Sequence, residues 1–296
     1  MAETECPDVN AAGRTGNEMR TITQTQIGAY ERCKRCYYLK YVRKLAWPVE
    51  RISRQEMMRG ADFHLLIRQM IMGFPPESLL LPEGDEKIGK WLKNFSENMP
   101  LKGFDRIFPE KEVSSLYSDT LWLGKFDALA IRDDLIVIFD WKTTEHRADK
   151  AEYQSSPQTR LYRFLAMTCA PRLIGAGLHG IPAENIEMIY WFPEHPGDEI
   201  RLPYSETAYR EDMTWLRLKA REMSSEEETD YPCRENLRAC RFCDYETYCF
   251  PKTEAFSAVS TPPVESDLEF PPDDIFQPEI FPMDQLSYGD QSEPGF

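Results

Sequence analysis

The stretch LWLGKFDALAIRDDLIVIFDWK, residues 121–142, contains two apolar runs separated by Arg132-Asp133-Asp134-Leu135. Such runs on either side of a polar turn spell a hairpin whose strands are buried on both faces. A turn that pairs Arg132 with Leu135 sets a register in which Asp127 faces Asp140, with Cβ atoms roughly 5 Å apart. Lys142 lies two residues beyond Asp140 and shares its face. Two facing carboxylates among Leu129, Ile131, Ile136 and Ile138 repel each other and lose hydration. A divalent cation relieves both costs, and hard oxygen ligands suit magnesium or manganese. A lysine beside such an ion can orient or deprotonate a water. The plainer alternative is an Asp–Lys pair on an exposed edge hairpin. It explains Lys142 but not two acids set within apolar strands.

Working outward, residues 110–117 read as a strand preceding the hairpin. Ser155-Ser156-Pro157 is a helix start, a hydroxyl cap with proline in the first turn, and that helix runs to about Thr168. Residues 186–193 give another strand, 198–204 an edge strand and 205–223 a helix. On the N-terminal side the pattern predicts helices over 23–45, 54–73 and 84–98. The second runs through Met57, Met58, Phe63, Leu66, Ile67 and Met70 and is stopped by Gly73-Phe74-Pro75-Pro76. The expected class is α/β, with helices on both faces of a central sheet.

Of the 296 residues 42% are hydrophobic, sufficient for a sizeable core. No apolar run reaches membrane-spanning length and no apolar segment follows a basic start, so neither a membrane span nor a signal peptide is expected. The expected compartment is cytoplasmic. The net charge of −15 is unevenly distributed. Residues 251–296 hold ten acids, one lysine and eight prolines. That composition cannot bury enough apolar surface to offset ordering entropy, and the tail is expected to be disordered, as are residues 1–20. Residues 20–59 instead hold ten Lys/Arg against three Glu, with Tyr30, Tyr37, Tyr38, Tyr41 and Trp47 interleaved. Arg32, Lys34, Arg35, Lys40, Arg43 and Lys44 could neutralise phosphates, and the tyrosines could stack on single-stranded bases. In the tail, acids alternate with large apolar residues over 267–286, which suits docking on a basic, apolar pocket of a partner. A solubilising extension accounts for it equally well.

The cysteines cluster early, at Cys33 and Cys36, and late, at Cys233, Cys240, Cys243 and Cys249. In a reducing compartment this distribution points to metal ligation rather than disulfides. Cys6, Cys169 and Cys233 read as unliganded.

Gly124-x-x-Asp127 followed by Asp140-Trp141-Lys142 resembles motifs II and III of the PD-(D/E)XK nucleases. Gly60-x-x-x-His64 resembles motif I of their RecB-like branch, and Gln158-x-x-x-Tyr162 a further motif of that branch. In order and spacing the match spans about residues 22–250. The resemblance implies a restriction-endonuclease-like core with a mixed central sheet. It implies that His64, Asp127, Asp140 and the Trp141 carbonyl hold Mg2+ or Mn2+, that Lys142 assists the water, and that Gln158 and Tyr162 hold Lys142 and the substrate phosphate. Glu112, on the preceding strand, is not expected to bind metal. Cys33 with Cys240-x2-Cys243-x5-Cys249 resembles the iron–sulfur members of the branch, which include AddB and the CRISPR-associated exonucleases, and implies a 4Fe–4S cluster. Cys36 departs from that pattern and leaves structural zinc on Cys33, Cys36, Cys240 and Cys243 as the alternative. The expected activity is metal-dependent hydrolysis of DNA in repair, recombination or CRISPR-type processing, on single strands or free ends. The runner-up is a nucleic-acid-binding subunit of a helicase or integrase assembly, non-catalytic or active only in the complex, with the tail contacting the partner.

Overall fold

The computed structural model describes residues 20–45, 51–79, 85–98, 100–144, 148–174, 181–233, 240, 243 and 245–250. Cys6, Trp47 and the acidic tail lie outside them. Strand β1 (Arg20–Thr23) leads directly into helix α1 (Gln24–Arg32). The Thr23 side chain accepts from the Gln26 N–H while the Gln26 side chain accepts from the Thr23 N–H, so two orphan donors at the helix start are satisfied reciprocally.

The single helix expected over 23–45 is in fact broken. Cys33 is extended (φ −160°, ψ 113°), and the chain restarts as α2 (Lys34–Tyr37), which widens into a π-helical turn over Tyr38–Val42. Strand β1 was not anticipated. Its four residues pair in parallel with the start of β3, a tertiary contact that local pattern does not encode.

Helix α3 (Arg51–Ile71) ends at Gly73, whose φ of +93° suits glycine, and the Phe74 N–H closes back on the Gln69 carbonyl. Helix α4 (Glu86–Asn98) follows. Strands β2 (Arg106–Tyr117), β3 (Thr120–Arg132) and β4 (Leu135–Trp141) form a meander. The β2–β3 turn places Ser118 and Asp119 at positive φ, which matches the twist of a two-residue hairpin. The β3–β4 ladder pairs Arg132 with Leu135 and Ala128 with Phe139, the register read from the turn. Helices α5 (Lys150–Ser155) and α6 (Pro157–Ile174) then cross over to β5 (Ile186–Trp191), parallel to β4. Strand β6 (Ile200–Pro203) and helix α7 (Glu206–Glu222) follow, and a short turn α8 (Glu246–Cys249) closes the described chain.

The sheet is mixed, in the order β1-β3-β4-β5-β6, with β2 also on β3. Its two faces bury separate cores. One contains Trp122, Phe126, Leu161, Leu165 and the tyrosines of α1 and α2. The other joins Phe63, Ile67, Trp91 and Phe95 of α3 and α4 to Phe139, Trp141 and Trp191 of the sheet. No helix among the described residues is long and apolar enough to cross a membrane.

Candidate active site

Strand β3 changes phase at Asp127. Before it, the even-numbered Trp122 and Phe126 face the α6 core. After it, Leu129 and Ile131 face that core, and Ala128 and Ala130 turn to the α3–α4 side. Strand β2 changes in step, because Glu110 adopts a left-handed φ of 50°. Pairing runs undisturbed on either side, Pro109 with Ala128 and Lys111 with Phe126. The kink therefore aims Glu110 and Asp127 out of the regular pleat at one position of the sheet.

Motif glycines set the approach of the helices. A Cβ at Gly124 would lie 2.7 Å from Leu165 Cδ1 and 3.1 Å from the Tyr162 ring, so α6 can sit on β3 only because that position is bare. A Cβ at Gly60 would lie 3.0 Å from Thr143 Oγ1, which brings α3 against the segment leaving β4. One turn later on α3, His64 faces Asp127 Oδ1 through Nδ1 at 3.1 Å and the Trp141 carbonyl through Nε2 at 3.1 Å. Asp127 Oδ2 accepts from the Trp141 N–H at 2.7 Å.

Asp140 turns to other partners. Its Oδ1 accepts from Gln158 Nε2 at 2.6 Å and its Oδ2 meets Lys142 Nζ at 3.1 Å. Lys142 Nζ also donates to Gln158 Oε1 at 2.9 Å, closing a triangle. The Tyr190 ring lies 5.3 Å from the same ammonium. Tyr162 does not reach Lys142. Its hydroxyl donates to the Lys125 carbonyl at 2.8 Å and pins α6 to β3.

The electrostatics are those of a crowded site of mostly buried charges. Burial disfavours a charged His64, but Asp127, with Asp140 and Glu110 beyond, outweighs it and lifts the imidazole to about 9. Burial pushes the Asp140 carboxyl above the usual carboxylate range. The Asp127 charge adds to that shift, although Lys142 pulls the other way. Burial also opposes the Lys142 charge, yet Asp140 holds the ammonium well above its ordinary value.

His64, Glu110 and Asp127 place potential ligand atoms within 4.8 Å of one another. An imidazole and two carboxylates form a donor set that fits a hard or borderline divalent ion. Sequence reasoning missed Glu110; it considered only Glu112, which it set aside as a metal ligand and which is exposed, two positions along the same strand. Only the left-handed backbone separates the two, and no residue pattern marks it.

Residues 21–250 match the PD-(D/E)XK nuclease superfamily. The chain belongs to that superfamily. PD-(D/E)XK enzymes hydrolyse phosphodiester bonds with Mg2+ or Mn2+, and the site described above lies within the matched residues. Solved structures similar to this PD-(D/E)XK chain include a candidate exonuclease of Eubacterium rectale, 8% identical over 83% of this chain and 91% of that one, with a TM-score of 0.46. Another is SSO0001, 16% identical over 80% of this chain and 89% of that one, with a TM-score of 0.30. No curated protein matches the chain.

The early and late cysteines converge on the α6 side of the sheet. The Cys36 thiol contacts Cys243, and that contact, with Arg32 at 3.9 Å and Lys40, outweighs burial and brings Cys36 down to about 6. Cys249 is pushed up to about 12 by burial and by its contact with Cys233. Cys33 lies close enough to raise both Cys243 and Cys249. Cys233, read from the sequence as unliganded, is exposed and sits against Cys249. Around these thiols Tyr245 donates to the Leu45 carbonyl at 2.6 Å, Arg35 pairs with Glu228, and Tyr231 stacks on Tyr38 at 5.1 Å. The tyrosines expected to stack on bases are thus largely core. Tyr30, Tyr37 and Tyr38 are at most 4% exposed, and of the six basic residues only Arg43 and Lys44 are exposed, the other four being half-buried.

Proposed function

We propose that this PD-(D/E)XK chain is a deoxyribonuclease of the RecB-like branch that cleaves DNA at single-stranded or free-ended sites. The observation that carries the reading is the pairing of two half-sites. His64 and Asp127 meet at the Trp141 carbonyl, and beside them Asp140 and Gln158 hold Lys142. His64, Asp127, Asp140 and the Trp141 carbonyl would hold Mg2+ or Mn2+, and the ion would neutralise charge developing on the scissile phosphate. Lys142 offers an ammonium fixed in direction by Asp140 and Gln158, suited to orient a water and to stabilise a phosphate oxygen. Tyr162, by anchoring α6, keeps Gln158 in place.

The test is cleavage of end-labelled single- and double-stranded DNA, with either metal, by protein purified without oxygen. Asp140→Ala and Lys142→Ala should each abolish cleavage while leaving circular dichroism unchanged. Retained cleavage in either variant, with unaltered metal dependence, sinks the assignment.

The same proposal extends to a 4Fe–4S cluster on Cys33, Cys240, Cys243 and Cys249, clasping the two ends of a nuclease unit over 21–250. The Cys36–Cys243 contact favours a second reading, zinc on Cys33, Cys36, Cys240 and Cys243. Metal analysis decides between them. A brown protein with stoichiometric iron that loses it on Cys249→Ser supports the cluster. A colourless protein that keeps zinc on Cys249→Ser and loses it on Cys36→Ser supports the alternative. Docking of the acidic tail on a helicase or integrase completes the proposal.

A further inference from the structure

Glu110 has three features that ordinary strand packing does not require. It is a non-glycine residue at a left-handed φ of 50° in the middle of a long strand, a conformation disfavoured by contact between Cβ and backbone. Its carboxylate lies within ligand distance of both His64 and Asp127. And it is ion-paired with Lys125, although Lys125 stands opposite Glu112 in the β2–β3 register. The regular partner is passed over for the one in the site. Asp140, by contrast, has both oxygens engaged by Gln158 and Lys142, whereas Glu110 is ion-paired with Lys125 at the edge of the ligand set.

Resting on the reading of a cation-dependent nuclease, we infer that Glu110 is a further ligand of the cation and that Lys125 is its resident counter-ion. Without the ion, the Lys125 ammonium neutralises a carboxylate that would otherwise repel Asp127. When the ion binds, Glu110 turns to it, and Lys125, still on the adjoining strand, is released next to the position of the substrate phosphate. Ion binding and phosphate binding are thereby linked through one side chain. The inference adds a residue to the site and assigns Lys125 a part in ion affinity.

The test is a titration of the full-length, DNA-free protein with Mn2+, following free Mn2+ by electron paramagnetic resonance. Glu110→Gln should weaken binding about tenfold or more, while Glu112→Gln leaves it unchanged. Lys125→Met should tighten binding several-fold, a result that a damaged fold cannot produce. The double variant Glu110→Gln/Lys125→Met should bind no more tightly than Glu110→Gln alone, because Lys125 acts through Glu110. Wild-type affinity in Glu110→Gln, or tightening by Lys125→Met that persists in the double variant, overturns the inference. If Asp127→Asn loses Mn2+ in the same experiment, the cation-dependent reading stands even then. A wild-type protein that binds no Mn2+ removes that reading and the inference together.

Discussion

Single atoms decide the spacing of this site. Gly124 lies under Leu165 and Tyr162, and the missing Cβ is what lets α6 bring Gln158 to Asp140 and Lys142. Gly124→Ala should therefore cost about 1–3 kcal/mol, the range for overpacking a tight contact. It should also lower the cleavage rate, because Gln158 is carried outward with the helix. Urea unfolding followed by tryptophan fluorescence measures the first effect, and a midpoint equal to the parent's would show that the helix yields without strain. The motif itself is readable in sequence, but the reason for its glycine is not, since Leu165 is forty-one positions away. Glu110 teaches the same lesson in reverse. Nothing in Pro109-Glu110-Lys111-Glu112 separates the first glutamate from the second, and a backbone angle settled by the paired strand does.

At the scale of elements, polar ties fix how the helices dock. Asp212 of α7 accepts from Arg160 Nε of α6 at 2.6 Å and from the Tyr204 hydroxyl at 3.0 Å, with Arg163 Nη2 at 3.5 Å. Arg163 is 3% exposed, so Asp212→Ala leaves a buried guanidinium without its counter-charge. The expected loss is about 3–5 kcal/mol, the cost of breaking a buried pair from one side. A loss below about 1 kcal/mol in chemical denaturation would show that water takes the carboxylate's place.

Across the sheet, Glu194 ties α4 to the end of β5 by accepting from Trp91 Nε1 at 2.8 Å and Lys90 Nζ at 2.6 Å. Burial works against its charge, but the lysine and indole donors win and hold the carboxyl below its usual value. A carboxyl depressed in the folded state stabilises fully above its unfolded value and loses that contribution as pH falls through the folded one. The melting-temperature gap between the parent and Glu194→Gln should thus be largest near neutral pH. It should close in acid, below roughly pH 4 where free glutamate protonates. A gap that is constant across this range assigns the effect to packing. The break of the expected long helix at Cys33 belongs to this scale too. The helix stops where Cys33 turns extended, at a position near Cys243 and Cys249.

For the whole molecule, charge is the governing quantity. The ten acids and one lysine of 251–296 are tethered to a segment, 20–59, that carries ten basic residues against three acids. If the nucleic acid of the proposed function binds the basic segment, an acidic segment tethered to it would compete at an effective concentration on the order of millimolar. Deleting 256–296 should tighten DNA binding at low salt, and the advantage should fade as salt screens both interactions. Equal affinities at low salt leave partner docking or solubility as the tail's role. The burial of Tyr30, Tyr37 and Tyr38 narrows what that basic segment can offer DNA. Those three rings are packed in the core and are not available for stacking.

The sequence by itself determined the α/β class and the β3–β4 register. Those features are local or nearly so: a turn fixes which residues face each other, and apolar runs fix what is buried. The tertiary structure decided which carboxylate meets which partner. Asp127 goes to His64 and the Trp141 amide, Asp140 goes to Lys142 and Gln158, and Glu110 is drawn in from the neighbouring strand. The physical reason is that side-chain direction at a strand kink depends on the phase of two paired strands and on helices that pack from both faces. None of these is set by the residues within a few positions of the site.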